Sequence, residues 1–502
     1  MDLTTKNVEQ KDDAVSENEI SRSVTSGFSW TALSLVGKQV FQFVILAILA
    51  RLLTPNDFGL IALILVITDF VAIFNGELGF AEALIQRKEL KQAHLYSVFW
   101  LNILIGCFIG SCIFIFAPVI ARFYGEPRLV AMGQVLAINF PIYALRTIPL
   151  ALLRRSMSFK LLGIIELSAI VLSGTVAVFL AYNGFGVWSL VWRTIITMTI
   201  MVTSLWFFVK WRPKFAFDRG AIRELWNFSS NMIGFYAWDY WTRRGDNFLI
   251  GKLLGSIQLG LYTRAYTNAL IPYQIALVSR RVMLPALSKI QNNNARTREL
   301  YLNMLSYIAM IAAPVLFGLS ATASNFVLLI YGPKWLPMVP SMRWLCIIGF
   351  LLTIGSTVDS IYQSRNRTDL LFRWGVISGV MALASFGFGA WLGSIEAVAI
   401  SYSVTLLLLS YWNFTIPGRL IGMSYIDVIR AVDGYVYCAL GMAFGVYAIG
   451  LVTVEASLPA RFCMQLTGGI ALYIVLLSIF EREKVKTILL LFRQIITSKM
   501  YA

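Results

Sequence analysis

The stretch "FYAWDYWTRRGDN", residues 235–247, places two arginines and two aspartates among aromatic rings. A planar guanidinium binds phosphate through two parallel hydrogen bonds, so Arg243 and Arg244 suit a phosphorylated ligand. Trp238, Tyr240 and Trp241 could stack on sugar rings, although such rings also anchor membrane interfaces or fill lipid-facing surface. At about 100° per residue, Asp239, Arg243 and Asp246 share one helix face and Arg244 points elsewhere. Lys38, Asp69, Arg146, Glu166, Arg193 and Asp359 are further ionisable residues in otherwise apolar sequence. A charge in hydrocarbon costs several kcal/mol unless it faces protein or water, so all of these should be internal. They form either an ion-pair ladder that fixes helix packing or the wall of a hydrophilic cavity gripping an anionic group. The arginine pair with its aromatic neighbours favours the cavity.

Composition identifies the elements that must carry these residues. The chain is 58% hydrophobic and 14% charged, far from the roughly 25% charged of a soluble protein. About fourteen blocks, from 27–50 to 462–480, are each long enough to cross about 30 Å of hydrocarbon. The expected fold class is therefore an all-α polytopic membrane protein. Most of the 42 Lys and Arg fall in loops on the N-terminal side, in clusters such as "QRKELK", "LLRRSMSFK", "KWRPKFAFDRG" and "EREKVK". That asymmetry puts both termini in the cytoplasm. It also accounts for the net charge of +16 without nucleic acid, because basic residues scattered over short loops make no continuous groove. The polar, acidic residues 1–26 lack the basic and apolar regions of a signal peptide and read as a disordered cytosolic tail. Five cysteines and His94 lack metal-ligand spacing and read as packing residues, so no metal is expected. No Walker A or dinucleotide fingerprint sits where a soluble domain could support it, so neither a cofactor nor an enzymatic activity is expected.

The chain repeats itself. In "ARLLTPNDFGLIAL" (50–63) and "GKLLGSIQLGLYTR" (251–264), Arg51, Leu52, Leu53, Gly59 and Leu60 fall on Lys252, Leu253, Leu254, Gly260 and Leu261. "RFYGEPRL" (122–129) resembles "LIYGPKWL" (329–336), and "RRSMS" (154–158) sits beside "SRNRT" (364–368). The matches predict two parallel six-helix lobes, 27–215 and 216–418, followed by two further helices in 419–482 and a basic cytosolic tail, 483–502. The same alignment sets Lys38 opposite Asp239 and Gln42 opposite Arg243, which suggests an ion-pair gate between Lys38 and Asp239. A duplicated membrane protein of this plan is typical of transporters with a central cavity. Candidate cavity residues are Arg243, Arg244, Asp246, Asp239, Lys38, Gln42, Arg146 and Asp359.

The sequence resembles the Wzx-type polysaccharide flippases, of the colanic acid exporter type, within the multidrug/oligosaccharidyl-lipid/polysaccharide exporter superfamily. The resemblance rests on "LARLLTPNDFGLIAL", "GFAEALIQRKEL", "LYSVFWLNILIG", "RRGDNFLIGKLLG", "LYTRAYTNALIP", "VMLPALSKIQ" and "YGPKWLPMVPSMRWLCIIGFL". It implies alternating access around a central cavity. The implied substrate is an undecaprenyl-diphosphate-linked oligosaccharide, moved to the periplasmic leaflet of a bacterial inner membrane for exopolysaccharide or lipopolysaccharide synthesis. A polysaccharide polymerase and chain-length machinery are the implied partners beside the membrane lipids. Arg243, Asp246 and Gly251 match a frequent family pattern, Arg-x-x-Asp followed by Leu-Ile-Gly. The resemblance further implies that Arg243 and Arg244 meet the pyrophosphate, whereas the roles of Lys38, Asp239 and Asp359 rest on burial alone. The alternatives are a drug-cation antiporter of the same superfamily and a peptidoglycan-precursor flippase.

Overall fold

The computed structural model describes residues 37–75, 79–87 and 89–482. The expected tails, 1–26 and 483–502, lie outside these. The described residues are helical with short turns, as expected, and eleven helical segments are long and apolar enough to span a membrane. Three expected spans are not among the eleven. The span at 27–50 is described only from residue 37. The span at 229–252 lies in the helix Arg219–Leu253, whose apolar run is interrupted by Asp239, Arg243, Arg244 and Asp246. The span at 260–283 is broken at Pro272 into the helices Gly255–Ala269 and Tyr273–Lys289, because proline donates no hydrogen bond to the preceding turn.

The chain groups into two compact units, residues 1–260 and 261–502. In the first, Gln92–Tyr124 packs on Asn139–Arg155, that helix packs on Trp188–Phe208, and Trp188–Phe208 pairs with Phe159–Tyr182. In the second, the same pairs recur among Asn294–Ile330, Val339–Gly355, Ile395–Gly418 and Thr368–Trp391. Backbone detail repeats as well. Among the described residues only Met157 and Asn366 adopt positive φ without being glycine, at 52° and 53°, each just before the corresponding helix. Gly125 and Gly332 of the two "YG" phrases, at 73° and 92°, also correspond. The pairing of Met157 with Asn366 moves the alignment of "RRSMS" with "SRNRT" by one residue, a shift the weak sequence match could not resolve.

Packing follows from the composition. Outward rings such as Phe108, Phe207 and Phe444 are mostly exposed, as lipid-facing side chains are, while the interiors are closed by small and branched residues. In the second unit, Tyr425–Val452 and Leu458–Phe480 are tied to Asn294–Ile330 by interhelical hydrogen bonds. Asn325 Nδ2 donates to Gln465 Oε1 at 2.7 Å, Tyr473 Oη to Met310 O at 2.8 Å, and Ser306 Oγ to Ala431 O at 2.8 Å. Such bonds average about 0.6 kcal/mol each in membrane helices, so they select register more than they supply stability.

The helix Arg219–Leu253, expected in the second lobe, packs within the first unit against Pro55–Ala72, Phe80–Gln86 and Gln92–Tyr124. Its N-terminal end carries a small polar latch. Glu224 pairs with Arg87 and accepts from His94 Nε2 at 3.2 Å, while His94 Nδ1 accepts the Lys91 N–H at 3.2 Å. These hydrogen bonds, from His94 first and Arg87 second, hold the Glu224 carboxyl below the usual carboxylate range. A depressed carboxylate pKa contributes stability above the unfolded value, and that contribution is lost as pH falls through the folded value. The stability difference between the wild type and Glu224→Gln should therefore be present above the unfolded carboxylate range and shrink as pH falls below it. A difference independent of pH over that range would show that Glu224 acts through packing instead.

Candidate functional site

All the candidate cavity residues except Asp359 fall in the first unit. Arg243 Nε lies 2.8 and 2.9 Å from the two carboxylate oxygens of Asp239, one helical turn earlier. Both side chains remain well exposed, at 56% and 35%. Arg244 is also exposed, and its charge acts on Asp69 of the helix Pro55–Ala72. The Tyr240 hydroxyl donates to Val66 O at 2.7 Å and feels the charges of Asp69, Arg244 and Asp246 together. Tyr236 Oη donates to Glu82 at 2.8 Å. The result is a polar wall in which acids from neighbouring helices and from the long helix itself accompany two exposed guanidinium groups.

The remaining candidates are placed elsewhere in the fold. Asp246 is 1% exposed, although it was expected on the same open face as Arg243. Burial changes along a helix as well as around it, and Asp246 lies about one turn further on, between the buried Gly245 and Asn247. Lys38 pairs with Glu166 and Asp239 with Arg243, so the expected gate pair of Lys38 and Asp239 is not formed in this structure. Gln42 is exposed on the helix 37–52. Arg146 lies over the Tyr143 ring at 5.2 Å and donates toward Met201 Sδ at 3.2 Å, a half-buried position on a different helix pair. Asp359 pairs with Arg280 at 2.9 Å in the second unit.

Two of the aromatic residues are packing elements. Trp241 and Tyr240 lie 5.0 and 5.7 Å from Phe70, and Trp241 is edge-on to Phe248 at 5.3 Å. They join the long helix to Pro55–Ala72. Glu82 and Arg280 were missed by sequence reasoning, although each is a charge within apolar sequence and could have been flagged on that ground alone. Among the described residues no cluster of three or more His, Cys, Asp or Glu could hold a metal ion.

A sequence profile of the family described as "Polysaccharide biosynthesis protein" matches residues 48–340, more than half of the chain. The chain belongs to that family. Teichuronic acid biosynthesis protein TuaB of Bacillus subtilis (strain 168) is 29% identical over 91% of this chain and 96% of its own. Succinoglycan biosynthesis transport protein ExoT of Rhizobium meliloti (strain 1021) is 26% identical, covering 93% and 95%. Lipopolysaccharide biosynthesis protein WzxC of Escherichia coli (strain K12) is 25% identical, covering 85% and 87%. The resemblance to Wzx-type flippases is borne out. A lipid II flippase MurJ structure in an inward closed conformation superposes with a TM-score of 0.75 at 14% identity, covering 91% of this chain and 99% of its own. An inward-facing transporter of the multidrug resistance MATE family gives 0.60 at 13% identity, covering 76% and 95%. At these identities the two structures share the fold with this chain. The expectation of an all-helical, multi-pass membrane protein of this architecture is therefore met.

Proposed function

We propose that this protein is a flippase for undecaprenyl-diphosphate-linked oligosaccharide repeat units, moving them from the cytoplasmic to the periplasmic leaflet of a bacterial inner membrane. The observation that carries the reading is the exposed arginine pair Arg243 and Arg244, set in the polar wall of a chain from a polysaccharide biosynthesis family. A pyrophosphate and several sugars cannot cross hydrocarbon unaided, because each unpaired polar group costs several kcal/mol on transfer. Guanidinium groups and hydroxyls can replace their hydration while the polyprenyl tail stays in lipid. No bond is made or broken, and the protein lowers a desolvation barrier. A polysaccharide polymerase with its chain-length machinery would consume the product on the far side.

Deletion of the gene should abolish surface polysaccharide and leave lipid-linked repeat units in the cytoplasmic leaflet, with export restored by the wild-type chain. Continued export in the deletion strain, with sensitivity to small cationic compounds instead, would replace this reading by drug antiport.

Topology gives an independent test. In this reading the N-terminus, the segment 284–299 and the C-terminus all face the cytosol. Reporter fusions at the three positions should be active only with a cytosolic reporter, and periplasmic activity at any one would overturn the orientation.

A further inference from the structure

A small cavity of about 20 Å³ lies inside the first unit, lined by Leu65, Thr68, Asp69, Asn139, Tyr143 and Thr194 among others. Its volume suits one occupant of water or Na⁺ size. Asn139 is 5% exposed, and its buried Oδ1 has no hydrogen-bond partner. Leaving such an acceptor unsatisfied costs about 1–3 kcal/mol, so the site calls for something that acceptors can hold. The two threonines point the same way. Thr68 Oγ1 donates to Ile64 O at 3.1 Å and Thr194 Oγ1 to Leu190 O at 3.1 Å. Each hydroxyl thus directs its only proton to its own helix and presents lone pairs to its surroundings. With the Asp69 carboxylate, the lining offers oxygen acceptors from three helices and a single formal negative charge.

We propose that this cavity is a binding site for one sodium ion, ligated by Asp69 and Asn139 Oδ1 and completed by the hydroxyls of Thr68 and Thr194. Hard cations take oxygen ligands of this kind, and one carboxylate matches a monovalent charge. The site is tied to the polar wall, because the charge of Arg244 acts on Asp69. A cation on Asp69 offsets the negative charge that Arg244 feels there. On the flippase reading, on which this link rests although the site does not, Arg244 then meets pyrophosphate with its positive charge less offset. Linkage then requires that sodium and pyrophosphate strengthen each other's binding.

The test is equilibrium binding of radioactive sodium to the purified full-length chain in detergent, without lipid-linked substrate, with choline chloride keeping ionic strength fixed. Saturable binding of one ion per chain is expected, and Asp69→Asn and Asn139→Leu should each weaken it by about tenfold or more. Thr194→Val, a near-isosteric change away from the charge, should weaken it several-fold and decides the matter if either other variant fails to fold. No saturable sodium binding, or binding unchanged in well-folded Asn139→Leu and Thr194→Val proteins, would overturn the proposal and leave the cavity to water or a proton. Because the measurement needs no substrate, a negative result would leave the flippase reading standing. Conversely, intact sodium binding in a chain that exports nothing would remove only the link to transport.

Discussion

Replacing Arg244 with Ala should reduce polysaccharide export by about ten- to a hundredfold while membrane abundance stays near wild type. A hydrogen bond to a charged group contributes about 1.5–3 kcal/mol, and each 1.4 kcal/mol is a factor of ten. Arg244 is exposed, and its charge acts on Asp69. Truncation at this exposed position therefore leaves the packing of the long helix in place. Arg243 should matter less. Its Nε is already engaged by Asp239, in an exposed pair of the kind that contributes only about 0.3–0.5 kcal/mol to the helix. Arg243→Ala should accordingly lower export by a smaller factor with no loss of folded protein. Lysine at 244 should restore part of the activity, because it keeps the charge and loses the planar fork. Export is best followed as surface polysaccharide in a deletion strain, with immunoblots of membranes as the control. If all three variants disappear from the membrane, the arginines hold the fold together and the ligand role falls.

The sequence showed where charge interrupts lipid-like composition, and that was enough to find the helix Arg219–Leu253 and its arginines. It could not say which charges pair. Lys38 meets Glu166 from a helix more than a hundred residues away, and no periodicity along either helix encodes that distance. Neither could it separate Asp246 from Arg243, since helical spacing gives direction around the axis and is silent about what covers each turn. The Asp69 cavity was hidden for a different reason. Thr68, Asn139 and Thr194 carry no charge, so a search for ionisable residues within apolar spans passes over them. The internal repeat, by contrast, was legible in a few turn residues. Turns impose positive φ at fixed positions, so the "YG" phrases keep Gly125 and Gly332 recognisable while lipid-facing residues drift.

The repeated phrase that first revealed the duplication leads to the other large effect. A Cβ added at Gly59 would lie 1.7 Å from Ser256 O, and one added at Gly260 would lie 1.9 Å from Pro55 O. Pro55 and Ser256 occupy equivalent places in the two phrases, as do Gly59 and Gly260, so the contact is reciprocal. Each copy lays its glycine on the backbone of the other. Ser256 Oγ lies 2.7 Å from both Asn56 Oδ1 and Glu126 Oε1 and donates its one proton to either, and Gly251 lets the long helix reach within 2.3 Å, at its missing Cβ, of the Leu63 side chain. Backbone cannot yield as a side chain can, so a methyl group at either glycine must push the two segments apart. Overpacking of this kind costs about 1–3 kcal/mol, which shifts a two-state equilibrium by about five- to a hundred-and-fiftyfold away from the conformation containing the contact. Gly59→Ala and Gly260→Ala should therefore each lower export strongly, and hydrogen exchange should rise in residues 51–60 and 253–260 of both variants while it stays unchanged in residues 294–330. Because the contact is reciprocal, the double variant should be little worse than either single one: once one methyl has parted the backbones, the second meets open space. Export and exchange both at wild-type levels in the two single variants would show that the crossing is not maintained in the membrane. Additive losses in the double variant would show that the two glycines act separately.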